Sequence, residues 1–225
     1  MPELPDHSWD LSPQQAVDLQ RDLRQQIRIA PLAGTIRYIA GADISFNLYS
    51  DVFYAGIVVL DYESLEIVET ALYTETVTFP YVPGLLSFRE IPTLLKAWEK
   101  LEHTPDVTMV DGHGIAHPRR MGIATHFGLV TGSPTLGCAK KILTGKIGPL
   151  REEPGSVSKI EDHGDLLGYA LRSRKRSNPV YISPGHLLDQ DGALDIALHC
   201  LRGYKLPEPT RLAHQTVNAF RREAQ

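Results

Sequence analysis

Hydrophobic and polar positions follow two different periods along this chain. Ser12-Pro13-Gln14-Gln15 has the form of a helical capping box with proline at the first helical position. Val17, Leu19, Leu23 and Ile27 then fall near one helical face, which predicts a helix reaching Ile27. Runs rich in β-branched and aromatic residues follow at Thr35 to Ser45, Val52 to Leu60 and Leu65 to Thr76, separated by short polar turns, and predict three strands in antiparallel succession. A helix from about Phe88 to Leu101 and a strand from Val107 to Asp111 change the order to strand, helix, strand, the mark of parallel pairing. A helix near Met121 to Val130, a short strand at Thr135 to Cys138, hairpin-like strands at Leu166 to Arg172 and Val180 to Ser183, and two C-terminal helices complete the series. The expected fold is α/β, with three antiparallel strands leading into parallel strands of one mixed sheet and helices on both faces. No repeat, low-complexity tract or linker interrupts residues 1–225, which therefore read as one domain.

Composition narrows this picture. With 225 residues and 42% hydrophobic content, the chain can bury one core of ordinary size. No stretch approaches the ~18 apolar residues of a membrane span, and MPELPDHSWD lacks the basic and apolar regions of a signal peptide, so a cytoplasmic protein is expected. Cys138 and Cys200 lie in no disulfide framework or metal-spaced cluster and read as reduced core thiols. A net charge of -4 argues at first against a nucleic-acid partner, because phosphate contacts need Lys and Arg. The charge is segregated, however: residues 119–176 hold 11 Lys or Arg against 5 Asp or Glu, while the remainder holds 12 against 22. Such a basic segment is either a phosphate-tracking surface or a solubilising one.

Two carboxylates interrupt apolar strands. Asp43 ends Tyr38-Ile39-Ala40-Gly41-Ala42, whose small residues would leave room for a ligand; the plainer reading is an edge or turn-capping aspartate. Asp111 ends the run Val107-Thr108-Met109-Val110 and is followed by Gly112-His113-Gly114, at the edge of a parallel sheet where ligands bind. Gly112 and Gly114 would permit close approach to a base or phosphate. Glu90 is locally ambiguous, since Ser87-Phe88-Arg89-Glu90 also reads as a capping box. Three carboxylates suit octahedral, all-oxygen coordination and hence magnesium or manganese. His113 and His117 keep zinc in competition, although Gly114 and Pro118 disfavour a helix presenting both.

Taken together, Ala40-Gly41-Ala42-Asp43, Pro80-Tyr81-Val82-Pro83-Gly84-Leu85-Leu86-Ser87-Phe88-Arg89-Glu90, and Asp111-Gly112-His113-Gly114-Ile115-Ala116-His117-Pro118-Arg119 resemble endonuclease V, the deoxyinosine 3′ endonuclease. So do Gly122-Ile123-Ala124-Thr125-His126, Pro134-Thr135-Leu136-Gly137-Cys138-Ala139-Lys140, Ser183-Pro184-Gly185-His186 and Leu206-Pro207-Glu208-Pro209-Thr210-Arg211. The resemblance runs in order along nearly the whole chain. It implies an RNase H-like fold and magnesium-dependent hydrolysis of the second phosphodiester bond 3′ to a deaminated adenine, leaving 3′-hydroxyl and 5′-phosphate ends. It implies that Asp43, Glu90 and Asp111 hold the metal, with His214 in support and Lys140 at a phosphate. Asp106 matches a further acidic position of the family, or serves the strand that follows it.

Independently of the family, phosphodiester hydrolysis requires that the phosphate's charge be neutralised while a nucleophile forms near neutral pH, both of which a carboxylate-held metal does. By resemblance, Tyr81 in Pro80-Tyr81-Val82-Pro83 is a wedge stiffened by two prolines, Pro83 and Gly84 continue its loop, and Leu86, Gly112, Ile123 and Gly137 line the base pocket. His117 is a phosphate or outer metal contact, or a packed loop histidine. Two other classes remain open: a different RNase H-like nuclease, which has no use for a wedge, and a non-catalytic reader of deaminated bases, which has no use for three carboxylates. The expected partner is DNA containing deoxyinosine, with inosine-bearing RNA as the alternative, and the expected state is a monomer.

Overall fold

A computed structural model describes residues 5–224. Helix α1 spans Pro13–Leu23, and its capping box is formed: the Ser12 hydroxyl accepts from the Gln15 amide and the Gln15 side chain accepts from the Ser12 amide. The next three residues tighten into one 3-10 turn, Arg24–Gln26.

Strands β1 (Tyr38–Phe46), β2 (Val52–Asp61) and β3 (Ile67–Thr76) form the antiparallel succession the sequence predicts. Strands β4 (Val107–Val110) and β5 (Thr135–Ala139) then add in parallel beside β1. Four more strands, β6 (Lys146–Ile147), β7 (Val157–Asp162), β8 (Asp165–Leu171) and β9 (Val180–His186), return antiparallel to give one sheet ordered β3-β2-β1-β4-β5-β9-β8-β7-β6. This is the mixed, RNase H-like arrangement expected. The pair β6 and β7 escapes sequence reading because β7, Val157-Ser158-Lys159-Ile160-Glu161-Asp162, buries only Ile160.

The central strands are covered on both faces. On β2, Ile57 and Val59 pack with Ile91 and Leu94 of α2 (Leu86–Trp98) and Phe127 of α3 (Ile123–Thr131). Val58 and Leu60 point the other way, towards Ile196 of α4 (Gln190–His199) and Ala213 of α5 (Glu208–Glu223). This two-sided burial makes β2 a continuous apolar run without alternation. Helix α5 lies unusually close to the sheet. A Cβ on Gly41 would stand 1.9 Å from the Pro209 carbonyl oxygen, and one on Gly56 would stand 2.9 Å from Val217 Cβ. The small residues around Asp43 therefore make room for a helix and not, as the sequence suggested, for a ligand.

Because β1, β4 and β5 are parallel, their carboxyl ends open on one edge of the sheet, and the loops after them converge there. Asp106 lies at the opposite edge, where its carboxylate accepts from the Arg37 and Tyr38 amides at 2.8 and 2.9 Å and pins the start of β1. Its role here is structural. No helix among the described residues is long and apolar enough to cross a membrane.

Candidate active site

Asp43 sits three residues before the end of β1, and the backbone amide following Val110 on the adjacent β4 donates to Ala42, which brings Asp111 beside it. Asp43 is buried; its Oδ1 accepts from the Ile44 amide at 2.8 Å, and its Oδ2 lies 2.7 Å from Nδ1 of His214 on α5. Lys140, immediately after β5, pairs with Asp111 Oδ2. Asp43, Asp111 and His214 each offer one ligand atom, and these atoms lie within 4.8 Å of one another. Glu90 stands just outside that trio, on the second turn of α2, and its carboxyl feels both aspartates.

The capping-box reading of Glu90 fails for a geometric reason. Helix α2 begins at Leu86 with Leu85 as an uncapped N-cap, so Ser87 already lies inside the helix. The Ser87 hydroxyl instead lies 3.1 Å from Nδ1 of the buried His126, whose Nε2 is 2.9 Å from Nε2 of His7. This chain of side chains from the N-terminal arm braces the first turn of α2, and the sequence alone gave no signal that His7 and His126 meet.

Electrostatics in the site are dominated by unbalanced negative charge. Burial, then repulsion from Asp43, pushes Asp111 up to about 6 despite Lys140. Burial and the two aspartates push Glu90 up to about 8. His214 is raised, chiefly by its hydrogen bond to Asp43. A set of three oxygen-donor carboxylates opposed by one lysine and one histidine fits a hard divalent cation such as magnesium. The two histidines that kept zinc in competition stand apart from this group: His113 Nε2 lies 2.9 Å from the Lys141 carbonyl, and neither His113 nor His117 belongs to the trio.

This charge imbalance has a measurable sign. Both raised carboxyls hold protons more tightly folded than unfolded, so in the metal-free protein these two groups subtract stability as pH rises from about 4 through about 6 and about 8. Magnesium should reverse the loss. The thermal midpoint with magnesium minus that with EDTA is expected to widen steadily between about pH 5 and about pH 8. A gap that stays constant over this interval would show that these carboxyls do not hold the ion.

A cavity of about 280 Å³ adjoins the acidic edge, lined by Tyr81, Pro83, Gly84, Leu86, Gly112, His117 and Ile123 together with Glu90 and Asp111. Ser87, His113, Met121, Gly122 and Leu143 complete the wall and were not singled out from the sequence as pocket residues. Tyr81 projects from the rim, 68% exposed. The loop behind it is clamped. Gly84, at φ 81, gives its carbonyl to Arg119 Nη2 at 2.8 Å and to Gln20 Nε2 at 3.1 Å, and Arg119 Nε donates to Gln20 Oε1 at 2.6 Å. The fully buried Gln20 on α1 was invisible to motif reading. His117 is buried, and burial and Arg119 lower it to about 4, which keeps its imidazole neutral near neutral pH in the unliganded cavity.

Two glycine assignments need correction. Gly137 does not line the cavity; a Cβ there would stand 2.4 Å from the Gly112 carbonyl oxygen, so it lets the loop after β4 lie flat on β5. Gly114 likewise accommodates the Pro184 carbonyl and not a base or phosphate. Gly112, at φ 155, does line the cavity, against Ile123.

Comparison with known proteins is consistent with this geometry. Residues 21–215 match the family described as Endonuclease V. The chain belongs to the endonuclease V family. An endonuclease V from Myxococcus xanthus is 51% identical over 215 residues, covering 95% of this chain and 92% of that protein. The solved endonuclease V from Streptomyces avermitilis is 36% identical with a TM-score of 0.90, covering 96% of each chain. A Ciona intestinalis endonuclease V, crystallised with DNA containing an inosine followed by a ribo-adenosine, shares the fold at 22% identity, with a TM-score of 0.84 over 96% of this chain and 100% of that one. Membership places the chain in a nuclease family, and the Asp43–Asp111–His214 trio beside a lined cavity is where its chemistry is to be sought.

Proposed function

We propose that this protein is a magnesium-dependent DNA repair endonuclease that takes deoxyinosine into the cavity and hydrolyses the second phosphodiester bond 3′ to it. The observation that carries the reading is adjacency: Asp111 and Glu90 belong both to the acidic cluster and to the cavity wall, so a captured base fixes the register of its own strand over the cluster. Family membership and the inosine in the DNA of the Ciona protein favour hypoxanthine as that base.

Asp43, Asp111 and Glu90 would hold the metal, which supplies neutralisation of the phosphate and a nucleophile near neutral pH. Manganese, with the same preference for oxygen ligands, should substitute. His214 keeps the Asp43 carboxylate turned towards the cluster through its 2.7 Å hydrogen bond. Lys140 holds Asp111 and leaves a positive group beside the scissile phosphate. Hypoxanthine differs from guanine by the missing exocyclic amine, so a close wall of Leu86, Gly112 and Ile123 accepts one and excludes the other by contact. Tyr81 fills the gap the extruded base leaves, and the Arg119–Gln20 clamp keeps its loop from yielding.

The test is cleavage of matched end-labelled strands carrying inosine or adenine, as DNA and as RNA, with the nick mapped to the nucleotide. A magnesium-dependent nick one bond beyond the lesion's 3′ neighbour, on DNA, supports the proposal; an inosine-independent pattern overturns it. Tyr81→Ala should weaken binding to inosine DNA about tenfold or more, the worth of one lost stacking contact, without changing metal affinity. Unchanged binding and cleavage in that variant would remove the wedge from the account.

A further inference from the structure

The 11 basic residues between 119 and 176 are not all engaged in the same way. Arg119 braces the wedge loop, Arg120 pairs with Asp162 and Asp165 at 2.9 and 3.4 Å, and Lys140 faces Asp111. Arg174, Lys175 and Arg176, in the turn between β8 and β9, are all exposed and take part in no ion pair among the described residues. No Asp or Glu occurs from Leu166 to Leu188. Three neighbouring cations with no acidic partner repel one another, an arrangement that an anionic ligand would relieve.

The turn is also built to hold its shape. The Ser177 hydroxyl donates to the Arg174 carbonyl at 2.8 Å, the Arg172 guanidinium donates to the Ser177 carbonyl and to that of Arg151, and Arg176 sits at φ 57. The Ser173 hydroxyl donates to the Lys205 carbonyl at 2.5 Å, tying the turn to the segment between α4 and α5.

Strand register sets where this turn lies. Ala139 of β5 pairs with Tyr181, and Leu171 of β8 pairs with Val180, so the turn leaves the sheet at the same edge as Lys140 and Asp111. From β4 to β8 is three strand spacings, about 14 Å. At about 3.4 Å of helix axis per base pair, that is roughly four nucleotides from the acidic cluster for a duplex lying across the strands. Lys205 adjoins this turn, since its carbonyl accepts from the Ser173 hydroxyl.

We infer that Arg174, Lys175 and Arg176, with Lys205 adjoining them, form a phosphate track for one flank of the DNA whose lesion occupies the cavity. The inference rests on the nuclease reading of the site, and it adds a sequence-independent contact about four nucleotides from the reacting bond. The track grips backbone only, so it should serve damaged and undamaged duplex alike.

The experiment compares wild type with the triple variant R174S/K175S/R176S, in EDTA, on duplexes with and without inosine, from about 50 to about 200 mM salt. Three lost phosphate contacts should reduce the slope of log K against log salt by about 2.7 and weaken both duplexes equally. The nick position and kcat at saturating DNA should be unchanged, and a charge-keeping R174K/R176K variant should retain the wild-type slope. Trimming one flank below about four nucleotides should cost wild type affinity and leave the triple variant indifferent. An unchanged slope, or a loss confined to inosine DNA, overturns the track. Turn-dependent binding without any inosine-directed nick would instead leave the track standing and defeat the proposed activity.

Discussion

Asp43→Ala is expected to lower cleavage of an inosine strand by on the order of a thousandfold or more, because metal-derived stabilisation of several kcal/mol corresponds to at least that factor. Asp43 touches both halves of the site: it belongs to the trio that could hold an ion, and it is the partner of His214. It does not line the cavity, whose walls are Tyr81, Leu86, Gly112, His117, Ile123 and their neighbours. Binding of inosine DNA should therefore survive. The variant should also remain folded, since removing one of three opposed carboxylates relieves the repulsion that raises Glu90 and Asp111. Three measurements decide it: single-turnover cleavage, affinity for inosine DNA without metal, and the thermal midpoint with and without magnesium. Loss of binding together with cleavage, at an unchanged midpoint, would mean that Asp43 shapes the pocket and is not confined to the chemistry.

The antiparallel-to-parallel sheet was legible because its signals are local. Val107 to Val110 running into Asp111 marks a buried strand meeting a loop, and the loop contents place the carboxylate at a carboxyl edge. What stayed hidden is what needs the third dimension. Glu90 has a perfectly good local explanation, which fails only because α2 starts one residue before Ser87 and turns its second turn towards Asp43 and Asp111. Only the family resemblance pointed past that explanation. Gln20 and Arg119 are 99 residues apart, and nothing in either neighbourhood says that they clamp Gly84 together. The glycines misled most. Gly41, Gly114 and Gly137 were read as space for a substrate, and each is space for another part of the chain.

Gly41 turns that correction into the second large expected effect. In Gly41→Ala the new Cβ would stand 1.9, 2.2 and 2.9 Å from the carbonyl oxygen, carbonyl carbon and Cα of Pro209. All three are backbone atoms at the start of α5, so no side chain can rotate away. Relief needs α5 to move until 1.9 Å becomes an ordinary contact of at least 3.4 Å, a displacement of about 1.5 Å. Overpacking of this kind costs about 1 to 3 kcal/mol of stability, read as a lower urea midpoint. His214 rides on the same helix, five residues beyond Pro209, and its 2.7 Å hydrogen bond to Asp43 does not survive a shift of that size. A misplacement of about 1 Å can cost on the order of a hundredfold in rate, so cleavage should fall by that factor in protein that is still folded. Gly148→Ala is the control, because its Cβ meets only the Ser158 hydroxyl, at 3.0 Å, and that side chain can turn aside. If Gly41→Ala cuts as fast as wild type, His214 does its work without the close seat of α5 on β1, and the link drawn between sheet packing and catalysis is wrong.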